Sequence, residues 1–208
     1  MPNLIWRFPD RLQHIYSLRM IREGDFLCQT KHDGYYAVII KDGDYKVLSR
    51  HNKPLAVSPS MMEAVRSLDL KDGTVLHGEW TGLRQADRSE SIVLFSITYL
   101  AYEWLGTLTE EERFGFLTSL GMKPHPSIPI VENQITGYAQ MYKRMVDDPR
   151  TEGVVLKKRT TKLIGDLRSS KDNPGFYKLK WRGGNDGLSK MIIPNPDLIT
   201  QDLLEGAL

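Results

Sequence analysis

Lysine and acidic residues recur at the ends of predicted strands along this 208-residue chain. Side chains at strand ends often converge on a cleft, because loops there are held by a rigid scaffold. Lys178 and Lys180 are two residues apart, so on a strand they face the same side. The candidate residues are Lys31 with Asp33, Arg50, Glu79, Glu152, and Lys178 with Lys180.

These residue types together suit the transfer of a nucleotide. A lysine attacks phosphorus only as the neutral amine, and it is a known type of covalent nucleophile. Attack on a nucleotide α-phosphate builds negative charge on the phosphate oxygens and the leaving pyrophosphate, so cations must surround it. Separated carboxylates fit Mg²⁺, which takes oxygen ligands and keeps several waters.

Hydrophobic patterning predicts the elements that position these residues. Apolar runs on both sides of Asp33-Gly34 indicate a hairpin over residues 26–40, and Asp42-Gly43 indicates a second one. Strands and helices are intermixed without regular βαβ alternation, which predicts an α+β fold with antiparallel sheets flanked by helices. The other predicted strands cover residues 74–80, 92–100, 152–158 and 176–182; the predicted helices begin near Asp10, at the capping box Ser60–Glu63, at the capping box Thr109–Glu112 and near Tyr138.

Composition excludes several classes of protein. With 40% hydrophobic and 26% charged residues, the chain is typical of a globular protein that can bury a full core. No apolar stretch reaches membrane-spanning length, and the N-terminal residues do not resemble a signal peptide. The single Cys28 excludes an intramolecular disulfide and favours a reducing, cytoplasmic compartment. The five histidines lack zinc-ligand spacing.

Net charge is only +2, but the charge is unevenly distributed. Residues 157–182 contain nine Lys or Arg and two acidic residues, Asp166 and Asp172. A solvated face more often mixes the two signs. This segment therefore predicts a basic band that binds a phosphodiester backbone.

The order of these segments resembles the nucleotidyltransferase (adenylation) domain of ATP-dependent DNA ligases, whose relatives include RNA ligases and mRNA capping enzymes. The similarity covers roughly residues 20–182. Lys31-His-Asp33-Gly34 resembles the motif whose lysine becomes covalently linked to AMP. The other similar segments are Ser49-Arg50, His77-Gly78-Glu79, the stretch that begins at Phe95, Glu152-Gly-Val-Val-Leu-Lys157, and Phe176-Tyr-Lys178-Leu-Lys180.

The resemblance implies a role for each matched residue. Arg50 would contact phosphate, Glu79 the ribose and Phe95 the adenine ring. Glu152, with Glu79 nearby, would hold the metal. Lys178 and Lys180 would contact the α-phosphate, and Gln29 would meet the adenine edge.

The same resemblance implies the fold and the activity. The fold would be an ATP-grasp-like nucleotidyltransferase fold with a central nucleotide cleft, formed by residues 1–182. Residues 183–208 would form a tail too short for the OB-fold that these ligases normally append. The expected function is an ATP- and Mg²⁺-dependent ligase that seals 3′-hydroxyl/5′-phosphate nicks in duplex DNA. We expect an intracellular monomer without membrane contact, with any DNA clamp supplied in trans.

Two departures keep alternatives open. Tyr36 lies five residues after Lys31, where many DNA ligases carry an arginine that meets nucleotide phosphates or nucleic acid. With the missing OB-fold, this leaves an RNA ligase, a stand-alone adenylyltransferase and a non-catalytic nucleic-acid-binding module as alternatives. Taken singly, Glu79 also fits a solvated strand end and Phe95 a core residue, and the lysine pair fits an exposed edge strand.

Overall fold

Two five-stranded sheets form the framework of the protein in a computed structural model. The structure describes residues 8–18, 21–82, 89–122, 125–146, 148, 150–165 and 170–180. The predicted tail 183–208 lies outside the described residues. The elements are β1 (Asp10–His14), β2 (Phe26–His32), β3 (Tyr35–Asp42), β4 (Asp44–Ser49), α1 (Pro59–Arg66), β5 (Thr74–Thr81), β6 (Ser91–Leu100), β7 (Glu103–Trp104), α2 (Glu110–Ser119), β8 (Asn133–Gln134), α3 (Tyr138–Val146), β9 (Thr151–Lys158) and β10 (Lys171–Lys180).

The two sheets have different helices on their outer faces. The first sheet has the order β1-β10-β9-β2-β8, and Tyr138, Met141 and Tyr142 of α3 pack against its apolar face. The second has the order β4-β3-β5-β6-β7, and Met61 and Val65 of α1 pack against it. The α+β prediction is confirmed, except that β1 runs parallel to β10, so the first sheet is mixed.

The chain passes from one sheet to the other immediately after His32, the residue that follows Lys31. The sequence predicts that β2 and β3 pair as a hairpin, and this is wrong: β2 pairs with β8 and β9, whereas β3 pairs with β4 and β5. Asp33-Gly34 is therefore a crossing between sheets. A side chain at Gly34 would collide with the backbone oxygen of Trp80, so this close passage requires glycine. The second predicted hairpin, at Gly43, is confirmed.

The predicted N-terminal helix is instead the strand β1. The Asp10 side chain is buried and accepts hydrogen bonds from the backbone nitrogens of Ile164 and Gly165 and from the Asn173 side chain. These contacts and the pairing with β10 are long-range, so they override a short local helical pattern.

The helix predictions differ in accuracy. The capping box of Thr109 with Glu112 is confirmed, and α3 begins at Tyr138 as predicted. The first capping box is wrong, since α1 is capped by Ser58, whose hydroxyl accepts from the Met61 nitrogen. No helix among the described residues is long and apolar enough to span a membrane.

Candidate active site

A cleft of about 900 Å³ lies between the inner faces of the two sheets. Successive side chains of a strand point to opposite faces. In β2, Cys28 packs toward α3, whereas Gln29 and Lys31 line the cleft. In β9, Val154 and Leu156 pack outward, whereas Val155 and Lys157 line the cleft. Two-residue periodicity thus places the polar residues on the inner faces.

All nine residues that the sequence analysis assigns to a site line this one cleft. They come from six separate stretches of the chain and from both sheets. They are Gln29, Lys31, Asp33, Arg50, Glu79, Phe95, Glu152, Lys178 and Lys180.

Glu152 lies between two lysines. Its side chain accepts a hydrogen bond from Lys31 Nζ through one oxygen, and the other oxygen is 3.3 Å from Lys180 Nζ. All three side chains are mostly buried, with 16–19% of their surface exposed. The predicted nucleophile, the predicted metal ligand and one predicted phosphate-binding lysine therefore form a single ionic group.

A β-bulge turns Glu152 into the cleft. Regular alternation would place Glu152 on the outer face with Val154, but the pairing shifts by one residue between Lys31 and His32. Lys31 pairs with Gly153 and His32 with Thr151, which leaves Glu152 as the extra residue. Such bulges re-aim a side chain. A side chain at Gly153 would collide with the backbone oxygen of Leu179 in β10, so glycine is required beside the bulge.

The two cleft glutamates have opposite pKa shifts. Burial would raise the pKa of Glu152, but the charges and hydrogen bonds of Lys31 and Lys180 outweigh it and hold the pKa below its ordinary value. Burial raises the pKa of Glu79 to about 7; Lys31 opposes that shift and Glu152 adds to it. The cleft thus contains one firmly ionised carboxylate and one that takes up a proton near neutral pH.

Aromatic rings surround a buried ammonium group at the inner end of the cleft. Lys157 Nζ lies 5.3 Å from the ring centres of Phe8 and Phe95, within the range of a cation–π interaction. It also donates hydrogen bonds to the Phe95 backbone oxygen at 3.2 Å and to Glu110 at 2.8 Å. Burial lowers the pKa of Lys157, and Glu110 offsets part of that shift.

This burial changes the interpretation of the basic band. Only 2% of the Lys157 side chain is exposed, and its partner Glu110 is fully buried. Arg159 is paired with Glu111 on α2. The basic segment is therefore not one continuous surface. Arg168 and Arg182 lie outside the described residues.

Gln29 has an unsatisfied donor that faces the cleft. The residue is 1% exposed, and its Nε2 has no hydrogen-bond partner within the described part of the chain. A buried donor without a partner costs about 1–3 kcal/mol, so such an atom calls for an explanation. An acceptor on a bound ligand would satisfy it, as the predicted adenine contact requires.

Arg50 and Asp33 lie in turns at the mouth of the cleft. Arg50 follows the last residue of β4, and its side chain is exposed. Asp33 lies in the crossing between the sheets, where its nitrogen donates to the Arg150 backbone oxygen at 2.9 Å. His32, beside them, lines the cleft, and burial lowers its pKa to about 4.

Several cleft residues are missed by sequence reasoning. Asp10 begins the segment predicted as a helix, Phe8 precedes that segment, and Lys157 belongs to the predicted basic band. Tyr36 is singled out by the sequence, but its partner His77 is not. Phe8 gives no signal in a single sequence. Glu110 and Arg113 are three residues apart, so on a helix they lie on the same face. This spacing is the one sequence signal for the buried ion pair that they form.

Solved structures of DNA ligases have a similar fold. The ligase domain of LigD from M. tuberculosis matches with a TM-score of 0.65 and 19% identity, over 86% of this chain and 66% of that chain. The ATP-dependent DNA ligase of bacteriophage T7, in complex with ATP, matches with a TM-score of 0.56 and 16% identity, over 83% of this chain and 68% of that chain. A putative ATP-dependent DNA ligase from Aquifex aeolicus matches with a TM-score of 0.55 and 21% identity, over 85% of this chain and 49% of that chain.

The chain has the fold of the nucleotidyltransferase domain of ATP-dependent DNA ligases. It spans about two thirds of the LigD ligase domain. No protein-family model and no curated protein sequence matches this chain. The shared fold confirms, at the level of fold, the resemblance found in the sequence.

The ligase-like cleft has a donor set that fits Mg²⁺. No group of three or more His, Cys, Asp or Glu side chains forms a metal site among the residues that the structure describes. Mg²⁺ commonly uses one or two carboxylates and completes its shell with water and substrate phosphates. Glu152 and Glu79 are close enough for the charge of one to raise the pKa of the other, and a cation between them would relieve that repulsion.

Proposed function

We propose that this protein is an ATP-dependent polynucleotide ligase that seals nicks in duplex DNA through a lysyl-AMP intermediate on Lys31. The observation that carries the proposal is the convergence of nine residues, chosen from the sequence alone, on one cleft between the sheets. Their types supply a nucleophile, three carboxylates, several cations and an aromatic ring. The ligase fold supports the same proposal.

The first step is attack by Lys31 on the α-phosphate of ATP. The Lys31 ammonium first loses one proton to become the neutral amine. A bond then forms between Nζ and phosphorus, the bond from phosphorus to the pyrophosphate oxygen breaks, and the nitrogen loses a second proton; both protons pass to solvent. The hydrogen bond from Lys31 Nζ to Glu152 must be released for the nitrogen lone pair to reach phosphorus. Mg²⁺ held by Glu152 and Glu79 would supply positive charge to the phosphate oxygens.

The sheet that carries Lys31 also supplies the cations for charge that develops on phosphate. Lys178 and Lys180 lie on β10, two strands from β2, and both line the cleft. Arg50 adds a third cation from the opposite sheet. Preorganised cations in a partly buried site stabilise a developing negative charge more than water does.

The nucleoside would lie against the inner faces of the two sheets. Phe95 provides a ring on which the base stacks, and the Gln29 side chain provides the unsatisfied donor for its edge. Glu79 would accept a hydrogen bond from a ribose hydroxyl. In the later steps AMP passes from Lys31 to a 5′-phosphate, and a 3′-hydroxyl then attacks that phosphate, releases AMP and closes the strand.

Sealing assays test the proposal and its alternatives together. Purified protein with ATP and Mg²⁺ is incubated with nicked duplex DNA, nicked duplex RNA and single-stranded RNA that carry labelled 5′-phosphates. We expect a joined DNA product that Lys31→Ala abolishes. Joining of RNA alone would replace the DNA assignment by an RNA ligase. Transfer of AMP without joining would identify an adenylyltransferase, and nucleic-acid binding without either product would identify a binding module.

A further inference from the structure

Tyr36 faces the cleft from the second sheet but does not present a free hydroxyl to it. In β3 it pairs with Glu79 of β5, so the two side chains lie side by side. Its hydroxyl is 2.6 Å from His77 Nδ1, and the other ring nitrogen of His77 is 2.7 Å from the Thr98 hydroxyl. Both His77 and Thr98 are fully buried. A hydrogen-bond chain thus extends from the cleft into the sheet.

This chain is matched to an uncharged histidine. The fully buried His77 ring has a hydroxyl group at each of its two nitrogens. A neutral imidazole has one donor and one acceptor nitrogen, and each hydroxyl can take the complementary role. An arginine at position 36 has no acceptor and would bring a charged group against this buried ring. The tyrosine therefore fits its buried partner.

The ring of Tyr36 packs beside the ring proposed to stack on the base. The ring centres of Tyr36 and Phe95 are 6.2 Å apart, with an angle of 47° between the planes. Phe8 contacts Phe95 on another side, at 5.8 Å and 79°. His77 contacts both neighbours, at 6.0 Å from Tyr36 and 5.5 Å from Phe8. Tyr36 and Phe8 thus contact Phe95 directly, and His77 packs against both of them.

We infer that Tyr36 is a positioning residue of the nucleotide site. Its hydrogen bond to His77 holds the Tyr36 ring, and that ring fixes the Phe95 ring for stacking on the nucleobase. The inference rests on the proposed function, because it assumes that the cleft binds ATP. A ring held in place before binding loses less conformational freedom when the ligand arrives, which favours affinity. Tyr36 acts on the nucleoside through Phe95 and carries no charge to the triphosphate.

The test is Tyr36→Phe, which removes only the hydroxyl. The rate of lysyl-AMP formation is measured against ATP concentration, to give a half-saturating concentration and a limiting rate. Loss of one positioning hydrogen bond predicts a roughly three- to tenfold rise in half-saturating ATP, with the limiting rate unchanged. Tyr36→Arg is expected to raise it at least as much, since the arginine lacks both the hydroxyl at His77 and the ring beside Phe95.

Tyr45→Phe is the matched control. The Tyr45 hydroxyl accepts a hydrogen bond from the Leu70 nitrogen at 2.7 Å, and its ring packs in the core on the other side of the same sheet. This variant should lose thermal stability and leave the ATP dependence unchanged. An unchanged half-saturating concentration in Tyr36→Phe, or a lowered limiting rate alone, would overturn the inference. So would an improved ATP affinity in Tyr36→Arg. Absence of any adduct in the wild type would instead contradict the proposed function.

Discussion

Among the buried charged residues near the cleft, we expect replacement of Glu110 by a neutral residue to lower the free energy of unfolding most. It is the first residue of α2 and fully buried, and it binds both Arg113 and Lys157. Glu110→Gln keeps the size of the side chain but leaves two buried cations without their carboxylate. Lys157→Met removes one cation and leaves the pair of Glu110 and Arg113 intact.

The structure predicts different losses in the free energy of unfolding for these two variants. Removal of one partner from a buried ion pair typically costs about 3–5 kcal/mol, because the remaining charge is uncompensated. Glu110→Gln should therefore lower the free energy of unfolding by about that amount, which corresponds to a fall in Tm of roughly 6–20 °C for a domain of this size. Lys157→Met should cost only about 0–2 kcal/mol, since apolar replacements of buried charges are often tolerated.

Urea denaturation followed by circular dichroism measures both free energies. The double variant Glu110→Gln with Lys157→Met should be more stable than Glu110→Gln alone, because it buries one uncompensated cation fewer. Equal losses for the two single variants, or a loss below about 1 kcal/mol for Glu110→Gln, would refute the claim that Glu110 compensates both cations.

Two further predictions concern the cleft carboxylates. Gly153→Ala should lower the free energy of unfolding by roughly 1–3 kcal/mol, because the added methyl group meets the Leu179 backbone oxygen. It should also reduce lysyl-AMP formation, since the bulge beside Gly153 directs Glu152 into the cleft. A fully stable and active variant would contradict this role of the bulge. Glu79→Gln should stabilise the metal-free protein by roughly 1–3 kcal/mol above pH 7 and not below pH 4.5. The folded-state pKa of Glu79 is raised from its ordinary value of 4.5 to about 7, so the wild type loses stability as pH rises from about 4.5 to about 7 and loses no more above that range. Thermal melts in EDTA at several pH values measure the difference in stability between Glu79→Gln and the wild type. A difference that does not change with pH would contradict the prediction.

The sequence predicts the helices and strands well where local residue patterns, and not distant contacts, determine them. The strands β5, β6 and β9 and the capping box of α2 follow the predicted positions, because alternation, β-branched content and capping residues are local signals. The strand β1 is missed because its pairing with β10 and the buried contacts of Asp10 are not local. The turn at Asp33-Gly34 is correctly placed, but a turn does not reveal whether its two strands pair with each other.

The candidate residues are predictable from the sequence, but their arrangement is not. Lys31, Glu79 and the lysine pair lie on inner faces that simple alternation supports. Glu152 does not follow alternation and reaches the cleft only through the bulge at Lys31 and His32. Lys157 is read as a surface charge because its partner Glu110 is 47 residues away in the chain. Pairing over such separations depends on the tertiary structure.

Covalent attachment of AMP to Lys31 is the central claim, and mass spectrometry of the intact protein tests it most directly. After incubation with ATP and Mg²⁺, we expect a mass increase of one AMP, mapped by peptide fragmentation to Lys31 and reversed by excess pyrophosphate. Lys31→Ala should show no increase, and Lys46→Ala, an exposed position on β4, should behave as the wild type. An unmodified wild type, or an adduct that maps to another residue and persists in Lys31→Ala, would contradict the account.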